Sequence, residues 1–274
     1  MSAKMLPVCR RDGYIKMRYC FIIGSSRGLG AALVEELLKK EDIYLIGFAR
    51  SDIADIQNAE QWLATKRYQH VKIDITSPEC TEILKSICSE LSDKPIMVIH
   101  NAALVKSDSS IDKRINYPIF DEINHIAIEG LRRVLEGIED HMLSFGGVFI
   151  GISAFSAIFP PVQELRLAYP ATKAYLDMAL RCLRFAWGNK VKIVTVHLGH
   201  LDSLGDGKRY WFVPNYAQTA QKIAQAIGRT NIPDEINYPF LYNLLYRRLL
   251  IFVPDYVYFW IINLLTKFIP EQKK

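Results

Sequence analysis

Tyr169 and Lys173 stand four residues apart in a stretch, Tyr169 to Trp187, whose apolar residues recur at helical spacing. On a helix those two positions share one face, so a phenol and an ammonium can reach the same pocket. A free phenol ionises near pH 10 and is a poor acid–base group at neutrality. A neighbouring cation favours the phenolate and draws that value toward the working pH. Taken alone, such a pair is ordinarily an exposed surface pair, so its meaning depends on what surrounds it.

A second feature with chemical content is Gly24-Ser25-Ser26-Arg27-Gly28-Leu29-Gly30, set between the apolar run Met17 to Ile23 and the helical pattern Leu29 to Lys40. In a strand–turn–helix unit the turn's backbone amides and the helix dipole can hold a pyrophosphate, and glycines permit the close approach. The spacing is GxxxGxG, which departs from the GxGxxG dinucleotide fingerprint. About twenty residues on, an NAD site places an acid for the ribose hydroxyls; here the chain reads Phe48-Ala49-Arg50-Ser51. Arg50 and Arg27 together offer two guanidinium groups suited to a ribose 2′-phosphate. The expected cofactor is therefore NADP(H), in preference to NAD(H).

The elements that must position these groups alternate. Further strands are predicted at Ile43 to Phe48, around His70 to Ile73, and at Pro95 to His100, Val148 to Ser153 and Val191 to His197, with helical patterns between them. Strands separated by helix-length segments need crossovers, and the natural solution is a parallel sheet covered on both faces. The fold class is thus α/β, a doubly wound parallel sheet forming a single domain. The expected organisation is an N-terminal extension over 1–16, a dinucleotide-binding catalytic domain over 17–235, and an apolar helical tail over 236–274. Of the 274 residues 50% are hydrophobic and 23% charged, which excludes a disordered or fibrous chain. The net charge of +5 is scattered, which excludes nucleic acid as a partner. Five cysteines without a CxxC pair, and a polar N-terminus without a signal-peptide stretch, point to the cytoplasm.

With these residues in place, the chain resembles the short-chain dehydrogenase/reductase superfamily, in its GxxxGxG and YxxxK branch. The matches run in order over about residues 17–203: the turn at 24–30, Asp74 after the third strand, His100-Asn101-Ala102-Ala103 where the family has NNAG, Asn124, the strand ending at Ser153, and Tyr169-Pro170-Ala171-Thr172-Lys173. The resemblance implies a Rossmann-like fold and hydride transfer between NADP(H) and a carbonyl or alcohol. By the same resemblance, Tyr169 protonates the carbonyl oxygen in reduction, while Lys173 tunes Tyr169 and holds the nicotinamide ribose. Asn124 anchors a water, Asp74 contacts the adenine, and Asn101 stabilises the central strands. Ile75, Ala102, Ala103, Gly199 and Leu201 complete the cofactor contacts.

Two departures stand out. Ala154 occupies the place of the family's substrate-binding serine; Ser156, 13 residues before Tyr169, is favoured as its replacement on the assumption that the strand continues, with Ser153 as the alternative. Where the family reads Pro-Gly and then a threonine, this chain reads Leu198-Gly199-His200-Leu201-Asp202-Ser203, so Ser203 is a candidate substitute and His200 an incidental loop histidine. Lys208 to Val213 is read as a substrate loop. In the tail, Leu249 to Val253 and Tyr256 to Ile262 are too short to span a membrane and are flanked by Arg247, Arg248, Lys267, Lys273 and Lys274. Peripheral membrane contact and a cover over the substrate pocket are both open, and each favours a hydrophobic substrate. The helix at Tyr169 to Trp187 suits pairing into a homodimer or homotetramer. The alternatives are a non-catalytic NADP(H) sensor, motivated by Ala154, an NAD-linked alcohol dehydrogenase, and, ranked lower, a nucleotide-sugar epimerase.

Overall fold

The computed structural model describes residues 9–10, 13–14, 17–108, 114–159, 167–202, 213–240, 252–254, 256–258, 260 and 264. Seven apolar segments form one sheet: β3 (Arg18–Ile23), β4 (Ile43–Ala49), β5 (Tyr68–Lys72), β6 (Ile96–His100), β7 (Gly147–Ala154), β8 (Val191–Leu198) and β9 (Glu235–Tyr238). They pair in the order β5-β4-β3-β6-β7-β8-β9, every pair parallel. Both faces of the central strands are buried, which explains their near-continuous runs of Ile, Val, Leu and Phe. Two short strands, β1 (Cys9–Arg10) and β2 (Gly13–Tyr14), pair antiparallel and apart from this sheet.

Helices α1 (Gly28–Leu38) and α7 (Tyr216–Ile227) cover one face, where Cys20, Ile22, Leu45 and Val194 meet Leu33, Leu37 and Ile223. On the opposite face α3 (Glu79–Glu90), α5 (Gly130–Phe145) and α6 (Ala168–Trp187) pack against Phe21, Ile23, Val98 and Phe149. Two shorter helices, α2 (Ala59–Ala64) and α4 (Tyr117–Asn124), complete the set, and α4 runs into α5 through a π turn at His125–Glu129. Because all strands point the same way, Gly24, Arg50, Asp74, Asn101 and Gly199 lie just beyond the carboxyl ends of β3, β4, β5, β6 and β8. The order reverses between β3 and β6, and ligands of open parallel sheets bind in the crevice at such a reversal.

The doubly wound parallel sheet agrees with the sequence pattern, with one correction. The sheet has a seventh strand, β9, which crosses the expected boundary at 235 between domain and tail. Its four residues bury only Ile236, too few for an alternation to register. Of the expected substrate loop, Lys208 to Val213, all but Val213 lies outside the described residues, as does most of the tail.

Arg67 ties three elements together at the far end from the crevice. Its guanidinium donates to the carbonyls of Leu38 (2.8 Å), Lys40 (2.6 Å) and Ile43 (3.1 Å), satisfying the last carbonyl of α1, one in the turn after it and the first of β4. Losing a charged donor to partly buried acceptors costs about 1.5–3 kcal/mol. Arg67→Ala should therefore lower stability in urea unfolding by that amount, and Arg67→Lys should recover only part of it, because one ammonium cannot reproduce the fork.

Candidate active site

The glycine turn is built by close backbone approach. Gly24 has φ +87°, and a Cβ there would lie 2.9 Å from the backbone of Ala102. A Cβ on Gly30 would sit 1.9 Å from the Gly24 carbonyl oxygen and 2.9 Å from the Asn101 amide nitrogen. Asn101 clamps the two halves of the crevice, donating from Nδ2 to Gly24 O (2.9 Å) and from its backbone to Ile23 O (3.0 Å). Gly28, at φ +57°, starts α1 beside the ring of Tyr216. Arg27 is the N-cap residue and makes no side-chain capping bond, so the first-turn amides of α1 have no side-chain cap.

Not every residue of the turn offers its side chain to the crevice. Ser25 and Leu29 are buried, Ser25 against Phe48 O and Leu29 in the core under α1. Ser26 hydrogen-bonds Ser51 (3.4 Å), which brings the turn beside the end of β4, and Arg27 and Arg50 are both exposed there. Asp74 lies within reach of the Arg50 charge. Burial pushes its carboxyl up, but bonds from Thr76 (2.9 Å from the backbone, 2.8 Å from the hydroxyl) and the charges of Arg50 and His125 hold it below the usual range. Ile75 is buried where Gly130 lets α5 approach. Gly199 donates to Tyr238 O (2.9 Å), and Leu201 packs on the core under α7. These groups suit a pyrophosphate at the helix end with a phosphorylated ribose beside it.

Across the crevice, the first turns of α6 place Tyr169 half-buried and Lys173 buried. The Lys173 Nζ donates to the Ile152 carbonyl at 2.7 Å and lies 5.6 Å from the centroid of the Tyr169 ring. Burial pushes its ammonium down to about 8, against the opposing pull of Asp177. Both side chains border a small cavity lined by His100, Ala102, Leu104, Ile123 and Thr172. His100 stacks on Phe149 at 6.4 Å; burial first and the Lys173 charge second push its imidazole down to about 3.

Other expected residues are placed differently. The strand does not continue to Ser156: β7 ends at Ala154 and the chain turns into a 3-10 turn, Phe155–Ala157, packed on α6. The alternation argument for Ser156 therefore fails, although its Oγ is buried and has no hydrogen-bond partner among the described residues. Ser153 faces α6, with its Oγ 3.5 Å from the Lys173 carbonyl. Asn124 closes α4 just before the π turn, its side chain donating to Phe120 O (3.0 Å). His200 is exposed, and Ser203 lies outside the described residues. Sequence reasoning missed Asp177 and His197, which form a buried 2.8 Å pair behind Lys173. The available signal was an acid eight residues after Tyr169 on the inward face of the same helix.

Residues 18–209 match the short chain dehydrogenase family. The chain belongs to that family. No curated protein is similar to it at a significant level. Among solved structures it is similar to ElxO with NADP bound, at TM-score 0.69 and 16% identity over 81% of this chain and 96% of that one. A Burkholderia cenocepacia short-chain dehydrogenase in complex with NADP aligns at TM-score 0.68 and 18% identity over 89% and 97% of the two chains. A Brucella ovis oxidoreductase of the family with a partially ordered NAD aligns at TM-score 0.62 and 16% identity over 81% and 99%. At these identities the likeness concerns the fold.

His100 gives the site a pH signature. Its proton is taken up near pH 6.5 in the unfolded chain and only near 3 in the folded one, so the unfolded state binds more protons between those values. Stability should be fully retained above pH 6.5 and fall as the pH drops. Urea unfolding between pH 6.5 and 5 should show a slope approaching ~1.4 kcal/mol per pH unit that disappears in His100→Asn.

Proposed function

We propose that this chain is an NADP(H)-dependent oxidoreductase that reduces the ketone or aldehyde of a lipophilic compound to an alcohol. The observation that carries the reading is the Lys173 ammonium, desolvated and fixed by Ile152 O, lying 5.6 Å from the centroid of the Tyr169 ring at the carboxyl edge of the sheet. When bound, NADPH supplies the hydride for the carbonyl carbon. Tyr169 gives its phenolic proton to the carbonyl oxygen, completing the alcohol. The phenolate left behind is stabilised by the Lys173 charge and regains a proton from solvent. Ser156, with its buried hydroxyl, is assigned to the substrate oxygen, and Asn124 to the water that links Lys173 outward. The turn 24–30, with Asn101, Ala102, Ala103, Gly199 and Leu201, is assigned to the cofactor, Arg27 and Arg50 to its 2′-phosphate, and Asp74 and Ile75 to its adenine. The NADP complexes of ElxO and of the Burkholderia protein support the cofactor assignment.

The lipophilic character of the substrate is inferred from the tail. Tyr258 is buried, its ring centroid 4.9 Å from that of Phe159 in a tilted arrangement, which brings this tail residue close to the 3-10 turn that carries Ser156. Phe252, Tyr256 and Trp260 are exposed, which suits shallow contact of a cytoplasmic protein with a membrane surface. Among the described residues, no helix is long and apolar enough to cross a membrane. The outer face of α6 exposes Tyr175, Met178, Cys182 and Phe185, which favours a homodimer or homotetramer paired through this helix.

The test follows NADPH absorbance with the purified chain and a panel of hydrophobic aldehydes and ketones. Turnover should prefer NADPH to NADH and fall by at least about a hundredfold in Tyr169→Phe, with NADPH affinity unchanged. Tight NADPH binding without turnover above that variant would overturn the reductase reading in favour of a sensor, with Ala154 as the reason.

A further inference from the structure

Lys173 is not the last polar group on the inward face of α6. Tyr169, Lys173 and Asp177 follow one another at four-residue intervals, so all three lie on one stripe of the helix. Asp177 is 9% exposed and accepts a 2.8 Å hydrogen bond at Oδ2 from Nε2 of His197, itself 2% exposed on β8. The imidazole is held from its other side by Phe155, stacked at 6.1 Å. The hydrogen bond and the stacked Phe155 ring together fix the orientation of the Asp177–His197 pair. An isolated charge in a protein interior is costly, and two opposite charges one helical turn apart offset each other's burial.

We propose that Asp177, oriented by His197, is a positioning residue that keeps the Lys173 side chain charged and fixed beneath Tyr169. The surroundings leave Asp177 this role. The other described groups facing Lys173 are the Ile152 carbonyl and the Ser153 hydroxyl on β7, the phenol of Tyr169, and His100 on β6. The Ile152 carbonyl, the Ser153 hydroxyl and the His100 ring carry no negative charge, and the remaining lining from 102–104 and the π turn is apolar. The direction of the coupling agrees: burial lowers the Lys173 ammonium, and the Asp177 charge raises it. His100 is uncharged at neutral pH because burial, and then the Lys173 charge, hold its imidazole far below the usual value, so it adds no competing cation. The chain thus carries a line of phenol, ammonium, carboxylate and imidazole running from the half-buried Tyr169 into the interior, whose last two members supply no proton to substrate; the carboxylate acts on the ammonium through its charge and the imidazole orients the carboxylate.

The proposal rests on the reductase reading for its consequence in catalysis, and its test has a readout independent of turnover. The Lys173 ammonium is titrated by NMR of the full chain labelled with 13C at lysine Cε, assigned with Lys173→Met. Asp177→Asn should move the Lys173 midpoint down by at least about one pH unit, a tenfold loss of the charged form above both midpoints, and Asp177→Glu should restore it. In the same variants the alkaline limb of kcat for carbonyl reduction should shift with the midpoint. An unmoved midpoint in folded Asp177→Asn overturns the proposal. Should that variant fail to fold, His197→Ala takes its place: a lowered midpoint supports the proposal and an unmoved one overturns it. Absence of turnover in the wild type, with the midpoint still governed by Asp177, would fail the reductase reading alone.

Discussion

A buried ammonium is the most demanding feature of this molecule, and the architecture around the crevice follows from accommodating it. Lys173 is 6% exposed, and its Nζ finds a backbone carbonyl at the end of β7. A charge so placed needs a strand end whose carbonyl is free to accept it, a helix that delivers it from the side, and a compensating anion close by. The parallel sheet supplies the first at its carboxyl edge, α6 the second, and Asp177 the third. Any shift of α6 along β7 and β8 would break this arrangement. The packing of Leu176 and Leu180 therefore sets the chemistry as well as the core, and Gly151 matters for the same reason, since a Cβ there would lie 2.5 Å from Leu180.

The two halves of the crevice are joined at β6. Asn101 fixes the glycine turn from one side of the strand end, and His100 one residue earlier packs beside Lys173 on the other. Alternation of side chains along a strand makes this double use possible. It also explains why His100 can stand where the family has asparagine: the position faces the buried ammonium, and a neutral ring stacked on Phe149 fills it without adding charge. Of the described tail residues, Tyr258 packs its ring against Phe159, just after the 3-10 turn that follows β7.

Much of this was legible in the sequence because the relevant signals are local. The strands with two buried faces read as unbroken apolar runs, the helices as 3.6-residue periods, and GSSRGLG and YPATK as compact motifs with fixed contexts. Strand β9 was not legible, since four residues with one buried side chain carry no period. The geometry at Ser156 was hidden in a similar way: after Ala154 the chain curls into a 3-10 turn whose Phe155 packs against His197, a contact 42 residues away in sequence that local alternation does not report. The Asp177–His197 pair was hidden in the same way, because its members lie on different elements and each alone looks like an ordinary polar residue in an apolar segment.

The central claim is that the buried Lys173 charge makes Tyr169 acidic enough to exchange a proton near neutrality. The most direct measurement is a spectrophotometric titration of the Tyr169 phenol, taken as the difference between wild type and Tyr169→Phe and repeated in Lys173→Met. The account predicts ionisation clearly below the ordinary phenol value of about 10 in the wild type, returning to or above it in Lys173→Met. A Tyr169 midpoint at or above the ordinary value in both proteins would contradict it.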